Sequence, residues 1–218
     1  MKLVMDLRLK LHTGFHTTGD RATPWSDRAC AKEGDSFIIP ASNLKGLLRS
    51  QVERVLKTYE RALDTPICES PSPSSMCGKC MVCKYFGSPR NKAKLKFSDA
   101  RPPSNLPVEY RTGVALSRWR KVAQENLIYT TEVPWASELH ATIEGEFQDR
   151  EEALEAVVLT YIGLKMSLAV AADRSRGLGW IDGDIKYPEN FEARLDGETI
   201  NESEIKKKLG AIFKVEVK

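Results

Sequence analysis

Four cysteines, Cys68, Cys77, Cys80 and Cys83, fall within sixteen positions. Thiolates separated by two residues can wrap one tetrahedral ion, and a fourth from upstream closes the shell. Four sulfurs leave no open coordination position, so the spacing predicts a structural site, and Zn2+ suits a redox-inert role. An iron–sulfur cluster also fits the spacing, but no electron-transfer motif accompanies it. Cys30 stands apart with no evident His or base and reads as an ordinary thiol.

Three further clusters carry cations. Arg174-Ser175-Arg176-Gly177-Leu178-Gly179-Trp180 sets two guanidiniums against Gly177 and Gly179, where the backbone can approach a phosphate closely. Its spacing is neither that of a P-loop nor that of a dinucleotide-binding loop. Lys45 and Arg49 lie one turn apart near the start of a helix, whose free N–H groups and dipole already favour an anion. Arg111, Arg118, Trp119, Arg120 and Lys121 mix an aromatic ring with cations, the combination that holds single-stranded or distorted RNA. Taken singly, each has a plainer reading: an ordinary glycine turn for 174–180, solvated helix residues for Lys45 and Arg49, and a satisfied hairpin edge that needs no RNA for the Arg111–Lys121 group.

The elements that must position these residues follow from periodicity. Leu3, Met5, Leu7, Leu9 and Leu11 alternate with mostly polar partners as a strand. A long irregular stretch from Gly14 to Pro40 contains Asp20, Asp27 and Asp35, and a loop of that length is more often functional than decorative. Ser42 reads as the N-cap of a helix with an apolar stripe from Leu44 to Leu63. Short strands are expected at Leu95–Phe97, Thr112–Leu116 and Leu139–Phe147, then a second amphipathic helix from Leu154 to Leu168. A strand through Ile181 and Ile185, a helix over Glu202–Leu209 and a strand over Ala211–Val217 complete the pattern. The order predicts an α+β fold, with two main helices covering one face of an antiparallel sheet.

Composition sets the outer bounds. The chain has 218 residues, 41% of them apolar and 29% charged, which suits one globular domain with insertions. No apolar run approaches membrane-spanning length, Met1 leads straight into Lys2-Leu3-Val4 with no signal peptide, and the cysteines are not spaced as a secreted framework; a cytoplasmic protein with no membrane partner is expected. The net charge of +3 hides a strong asymmetry. Lys79 to Lys121 holds eleven Lys and Arg against Asp99 and Glu109, a balance of +9, while Glu144–Glu155 and Glu189–Glu204 each stand at −5. One face is thereby suited to phosphates.

Together the clusters resemble a known family, the RAMP superfamily of CRISPR effector proteins, and in particular the repeated backbone subunit of type III complexes. Four collinear segments carry the likeness: Ile38 to Arg49 (Ile-Ile-Pro-Ala-Ser-Asn-Leu-Lys-Gly-Leu-Leu-Arg), Cys77 to Gly87 ending Tyr85-Phe86-Gly87, Tyr110 to Arg118, and Arg174 to Trp180. The resemblance implies a single domain over 1–218 with a ferredoxin-like, RNA-recognition-type core. Insertions would occupy 14–40 (a catalytic loop), 64–94 (the metal-binding segment) and about 117–132, the last a projecting β-hairpin thumb. The run Leu116 to Val122 lacks the acidic residue and Thr-Gly step usual in the family, which marks the thumb as divergent.

The resemblance also implies a function. The protein would bind a CRISPR guide RNA through its backbone and assemble with copies of itself and other type III subunits. It would cut the complementary target RNA with Mg2+ or another divalent ion. An Asp after the first strand supports cutting in active relatives; measured from the Ile39-Pro40 landmark this is Asp27, with Asp20 the alternative and Asp35 serving a turn. The chemistry would be attack of a ribose 2′-OH on its own 3′ phosphate. Two other readings remain open: a catalytically inactive structural subunit, and a repeat-processing endoribonuclease using His12, His16 or His140 without metal.

Overall fold

The alternating first strand organises the molecule. In a computed structural model that describes residues 1–20, 23–63, 66–68, 72–104 and 106–214, Leu3, Met5, Leu7 and Leu9 are all buried. The elements run β1 (Lys2–Lys10), β2 (Lys32–Glu33), β3 (Ser36–Phe37), α1 (Ala41–Thr58), α2 (Glu60–Leu63) and α3 (Met81–Phe86). They continue with β4 (Leu95–Phe97), β5 (Val108–Leu116), β6 (Ala123–Pro134), β7 (Glu138–Glu146), α4 (Arg150–Lys165), β8 (Phe191–Leu195), β9 (Glu198–Thr199) and α5 (Glu202–Phe213).

Five strands form one antiparallel sheet in the order β4-β7-β1-β8-β9. β1 lies at its centre, pairing with β7 from Lys2↔Glu146 to Lys10↔Glu138 and with β8 from Leu3↔Leu195 to Leu7↔Phe191. With α1 after β1 and α4 after β7, this is the β-α-β-β-α-β order of a ferredoxin-like fold. The buried stripe of α1, including Leu44, Leu48, Val52 and Leu56, packs with Ala153, Val157 and Leu164 of α4 over one face of the sheet. Gly163 lets the two helices approach closely: a Cβ there would sit 3.1 Å from Val52 and 3.3 Å from the Leu48 carbonyl oxygen. α5 closes the far end, where Tyr59 meets Phe213 edge-on at 5.2 Å.

Several expectations need correction. Ser42 is not the N-cap of α1. The helix begins at Ala41 after Pro40, and the Asp99 carboxylate accepts the Ala41 N–H at 2.8 Å, supplying from a distant loop what a local cap would. The same helix stops at Thr58 and resumes as the short α2 rather than running unbroken to Leu63. Ile181 and Ile185 are buried anchors; Ile181 makes an isolated bridge to Leu11, and the sheet strand is Phe191–Leu195 instead. Ala211–Phe213 belongs to α5, and residues 215–217 of the expected last strand lie outside the described residues.

Candidate nucleic-acid interface and metal centre

β5 and β6 leave the core as a separate two-stranded sheet, paired from Val108↔Pro134 to Leu116↔Ala123 with a register irregularity after Val114. The hairpin is longer than the thumb expected over 117–132, because Val108–Leu116 is its first arm. Trp119 at the tip is 94% exposed, and Arg118, Arg120 and Lys121 beside it are exposed too. Val114, Leu116, Leu127 and Ile128 also face solvent. A lone two-stranded ribbon is marginal in water, and clustered exposed apolar side chains mark an interaction surface.

At its root the hairpin is locked. Gly113 lies opposite Tyr129, and a Cβ on Gly113 would sit 2.4 Å from the Tyr129 ring, so the glycine makes room for the aromatic. Arg176 donates to the Tyr129 hydroxyl at 3.1 Å, tying the glycine-rich loop to the hairpin. Asp173 holds Arg28 at 2.8 Å and Arg176 at 3.6 Å. Arg111, Thr131, Tyr129 and Arg176 line a small cavity of about 140 Å³ there.

The loop after β1 runs along β6 at this root. The Arg28 N–H donates to Thr130 O at 3.0 Å and the Glu132 N–H to Arg28 O at 3.0 Å, while Ser26 Oγ donates to Thr130 O at 3.1 Å. The Asp27 carboxylate accepts the Thr130 N–H through Oδ2 at 2.7 Å; Oδ1 has no partner among the described residues, and the residue is exposed. Glu132 is buried, accepting from the Cys30 N–H at 2.8 Å and pairing with Lys32 at 3.0 Å. Asp20 is exposed and neighbours residues outside those described. Asp35 sits in the turn between β2 and β3, after Gly34 at φ 59°, in keeping with a turn role.

Sequence reasoning passed over Trp25. It is 75% exposed at the crown of a turn closed by paired Thr23–Ser26 backbone bonds of 2.9 and 3.2 Å, two residues before Asp27. The signal was present as an aromatic beside Pro24 in a polar loop.

The two glycines of the Arg174–Trp180 segment do different work. Gly177 ends a single 3-10 turn at φ 81° in open space, so a ligand has room to approach. Gly179, at φ 69°, is packed so tightly that a Cβ would lie 2.0 Å from Val170 O; its N–H bonds Gly14 O and its carbonyl accepts the Val170 N–H, both at 2.8 Å. Arg174 is exposed and has no acidic partner among the described residues.

At the start of α1 the two predicted cations diverge. Lys45 has no acidic partner among the described residues, and burial together with Arg49 pushes its pKa down. Arg49 is committed inward: it pairs with Glu53 at 2.9 Å, donates to Gly87 O at 2.6 Å and reaches Cys83 Sγ at 3.7 Å. The anion already at this helix start is Asp99.

All four sulfurs of Cys68, Cys77, Cys80 and Cys83 lie within 4.8 Å of one another. The Cys68–Cys80 and Cys68–Cys83 separations of 3.6 Å match the roughly 3.8 Å edge of a tetrahedron with metal–sulfur bonds of about 2.3 Å. Cys77 Sγ also accepts the N–H groups of Lys79 and Cys80 at 3.4 and 3.3 Å, which suits a thiolate ligand. The donor set can therefore hold a metal ion such as zinc. Cys30 is outside it, buried, with its thiol pushed up to about 11 by that burial.

The histidines are not gathered into a catalytic pair. His16 is fully buried, with Nδ1 2.9 Å from Glu132 O and Nε2 3.1 Å from Thr18 Oγ1, and burial lowers its pKa. His140 pairs with Glu138 at 3.0 Å on β7, and His12 is exposed beyond the end of β1.

A family model described as the RAMP superfamily matches residues 9–182. The chain belongs to the RAMP superfamily. Among individually curated proteins no match was found. RAMP membership makes this a CRISPR-associated RNA-binding subunit, for which a type III effector is the usual setting. The matched span contains the Asp27 loop, the cysteine cluster, the hairpin and the glycine-rich loop; β8, β9 and α5 lie beyond it. Among the described residues no helix of this RAMP protein is long and apolar enough to cross a membrane.

Proposed function

We propose that this RAMP protein is a guide-RNA-binding backbone subunit of a type III CRISPR interference complex that cuts the guide-paired target RNA at Asp27. One observation carries the reading: the exposed Asp27 carboxylate is fixed by the Thr130 amide at the root of the projecting hairpin. A thumb that splays a target nucleotide would then present the strained linkage beside a carboxylate held in register with it.

Lys45, Arg174 and Arg176 hold guide phosphates in this reading, with Gly177 allowing close approach and Gly179 shaping the loop. Arg111 and the tip residues Arg118, Trp119, Arg120 and Lys121 contact the duplex the thumb enters. Arg49 acts one step back, bracing the metal segment against α1. Zinc in the four-cysteine site is structural.

In the cutting step the 2′-OH forms a bond to the adjacent phosphorus and the P–O5′ bond breaks, leaving a 2′,3′-cyclic phosphate and a 5′-hydroxyl. Asp27 either accepts the 2′ proton itself, or would supply one oxygen to a divalent ion whose other ligands are RNA oxygens and water, with water then taking that proton; in both cases water protonates the departing O5′. Mg2+ or a similar ion, when bound, neutralises charge on the phosphoryl oxygens. The burial of His16 and the commitment of both its ring nitrogens count against the repeat-processing reading.

Expression with a CRISPR array tests the assignment. The protein should purify with discrete small RNA as a ladder of oligomers, and cut complementary RNA only with a divalent ion present. RNA-free monomer, or chelator-resistant cutting of guide precursor by protein that still retains its zinc, would overturn it.

A further inference from the structure

A cleft of about 360 Å³ separates α1 from the turn that follows the cysteine cluster. Lys45 and Arg49 line one wall, and Ser88, Asn91 and Lys92 line the other. The neighbouring cations Arg49, Lys84 and Lys94 are each paired with a glutamate. Lys45, Arg90 and Lys92 differ: none has an acidic partner among the described residues. Arg90 and Lys92 are exposed, so burial does not account for them.

The turn carrying Arg90 and Lys92 is tied down on both flanks. Ser88 and Asn91 exchange backbone bonds of 2.8 and 3.1 Å, and Ser88 Oγ accepts the Arg90 and Asn91 N–H groups at 3.3 and 3.1 Å. The Asn91 side chain then donates to Gly78 O, inside the ligand loop between Cys77 and Cys80. On the other flank the Gly87 N–H bonds Cys83 O at 3.0 Å, while Arg49 holds the Gly87 carbonyl. Both ends of the turn therefore hang on the metal-ligating segment.

We propose that residues 88–92 form a second phosphate-binding wall, set opposite Lys45 by the metal-holding loop, so that the cysteine segment takes part in RNA binding. This rests on the RNA-binding reading above. The ligand is an RNA phosphodiester: the free groups are cations with no exposed large apolar side chain among them, which suits binding to the sugar–phosphate backbone without sequence preference.

The test is binding of unrelated single-stranded RNAs of guide length to zinc-loaded protein across a salt series. R90A/K92A should weaken binding of every RNA by roughly tenfold. It should also flatten the log affinity–log salt slope by about 0.7 for each phosphate that is no longer neutralised. Zinc content and thermal midpoint should not change. Asn91→Ala, which keeps every charge and every cysteine but cuts the tie to Gly78, should weaken binding in the same direction. If R90A/K92A binds like the parent while Lys45→Ala loses affinity, the second wall is wrong and the helix-start site stands. If Lys45→Ala, Arg174→Ala and R90A/K92A all bind like the parent, the RNA-binding reading of these sites fails with it.

Discussion

Thr130 N–H lies 2.7 Å from Asp27 Oδ2, so the loop after the first strand and the projecting hairpin share a bond across 103 residues of sequence. Arg28 adds a second tie, donating to Thr130 O and accepting from the Glu132 N–H. A carboxylate on a long free loop would sample many positions. Here it is tied to the projecting hairpin.

The two glycines of the 174–180 loop should separate by stability. Gly179→Ala places a methyl 2.0 Å from Val170 O at positive φ and should cost roughly 3 kcal/mol or more. Gly177→Ala meets open space and should cost only about 1 kcal/mol for its left-handed backbone. Denaturant titration measures both; equal losses would mean the loop is not packed on Val170.

Gly113→Ala should drive the Tyr129 ring from its seat and lower stability by roughly 1–2 kcal/mol. Adding Tyr129→Ala removes the clash, so the double variant should lose less than the sum of the singles. Additive losses in a double-mutant cycle would contradict the packing of Tyr129 over Gly113.

Elemental analysis should find about one zinc per chain, as a closed four-thiolate site requires. Cys80→Ser should lower both metal content and thermal midpoint, because binding and local folding are coupled. Arg49→Leu, which cuts the bonds to Gly87 and Cys83, should weaken zinc retention without removing a ligand. Fully folded, metal-free native protein would rule the site out.

Glu152 gives a pH signature. Burial pushes its carboxyl up, but hydrogen bonds and charge from Lys94 and Lys84 outweigh this and hold it at about 2, below the ordinary 4.5. A carboxyl depressed on folding stabilises above its unfolded value, and that contribution is lost as pH falls from 4.5 toward 2. Denaturation midpoints should drop through this window, and Glu152→Gln should flatten the drop. An identical slope in the variant would assign the acid sensitivity elsewhere.

Much of the core was legible because it is periodic. The alternation at Leu3–Leu9 and the stripes of α1 and α4 are local signals of burial, and the cysteine spacing states its own geometry. What was missed depends on distant partners. Nothing near Ala41 announces that Asp99 caps it, and nothing near Arg49 shows that Gly87 and Cys83 consume its donors. β8 is a five-residue alternation between Pro188 and Gly197, a weaker pattern than the bulky Ile181 and Ile185 that drew the strand to the wrong place. The hairpin's length was hidden because Val108–Leu116 has no buried face to set a clear period.

The most direct test is Asp27→Asn in the guide-loaded assembly. The amide oxygen can still accept the Thr130 N–H, so the loop and hairpin keep their tie while the charge is removed. Guide content, oligomer ladder and target capture should match the parent, and divalent-dependent cleavage of the target should disappear. Parent-like cutting by Asp27→Asn would contradict the assignment of Asp27; if Asp20→Asn alone stops cutting, the carboxylate lies elsewhere in the loop, and if neither matters, the protein is a structural subunit.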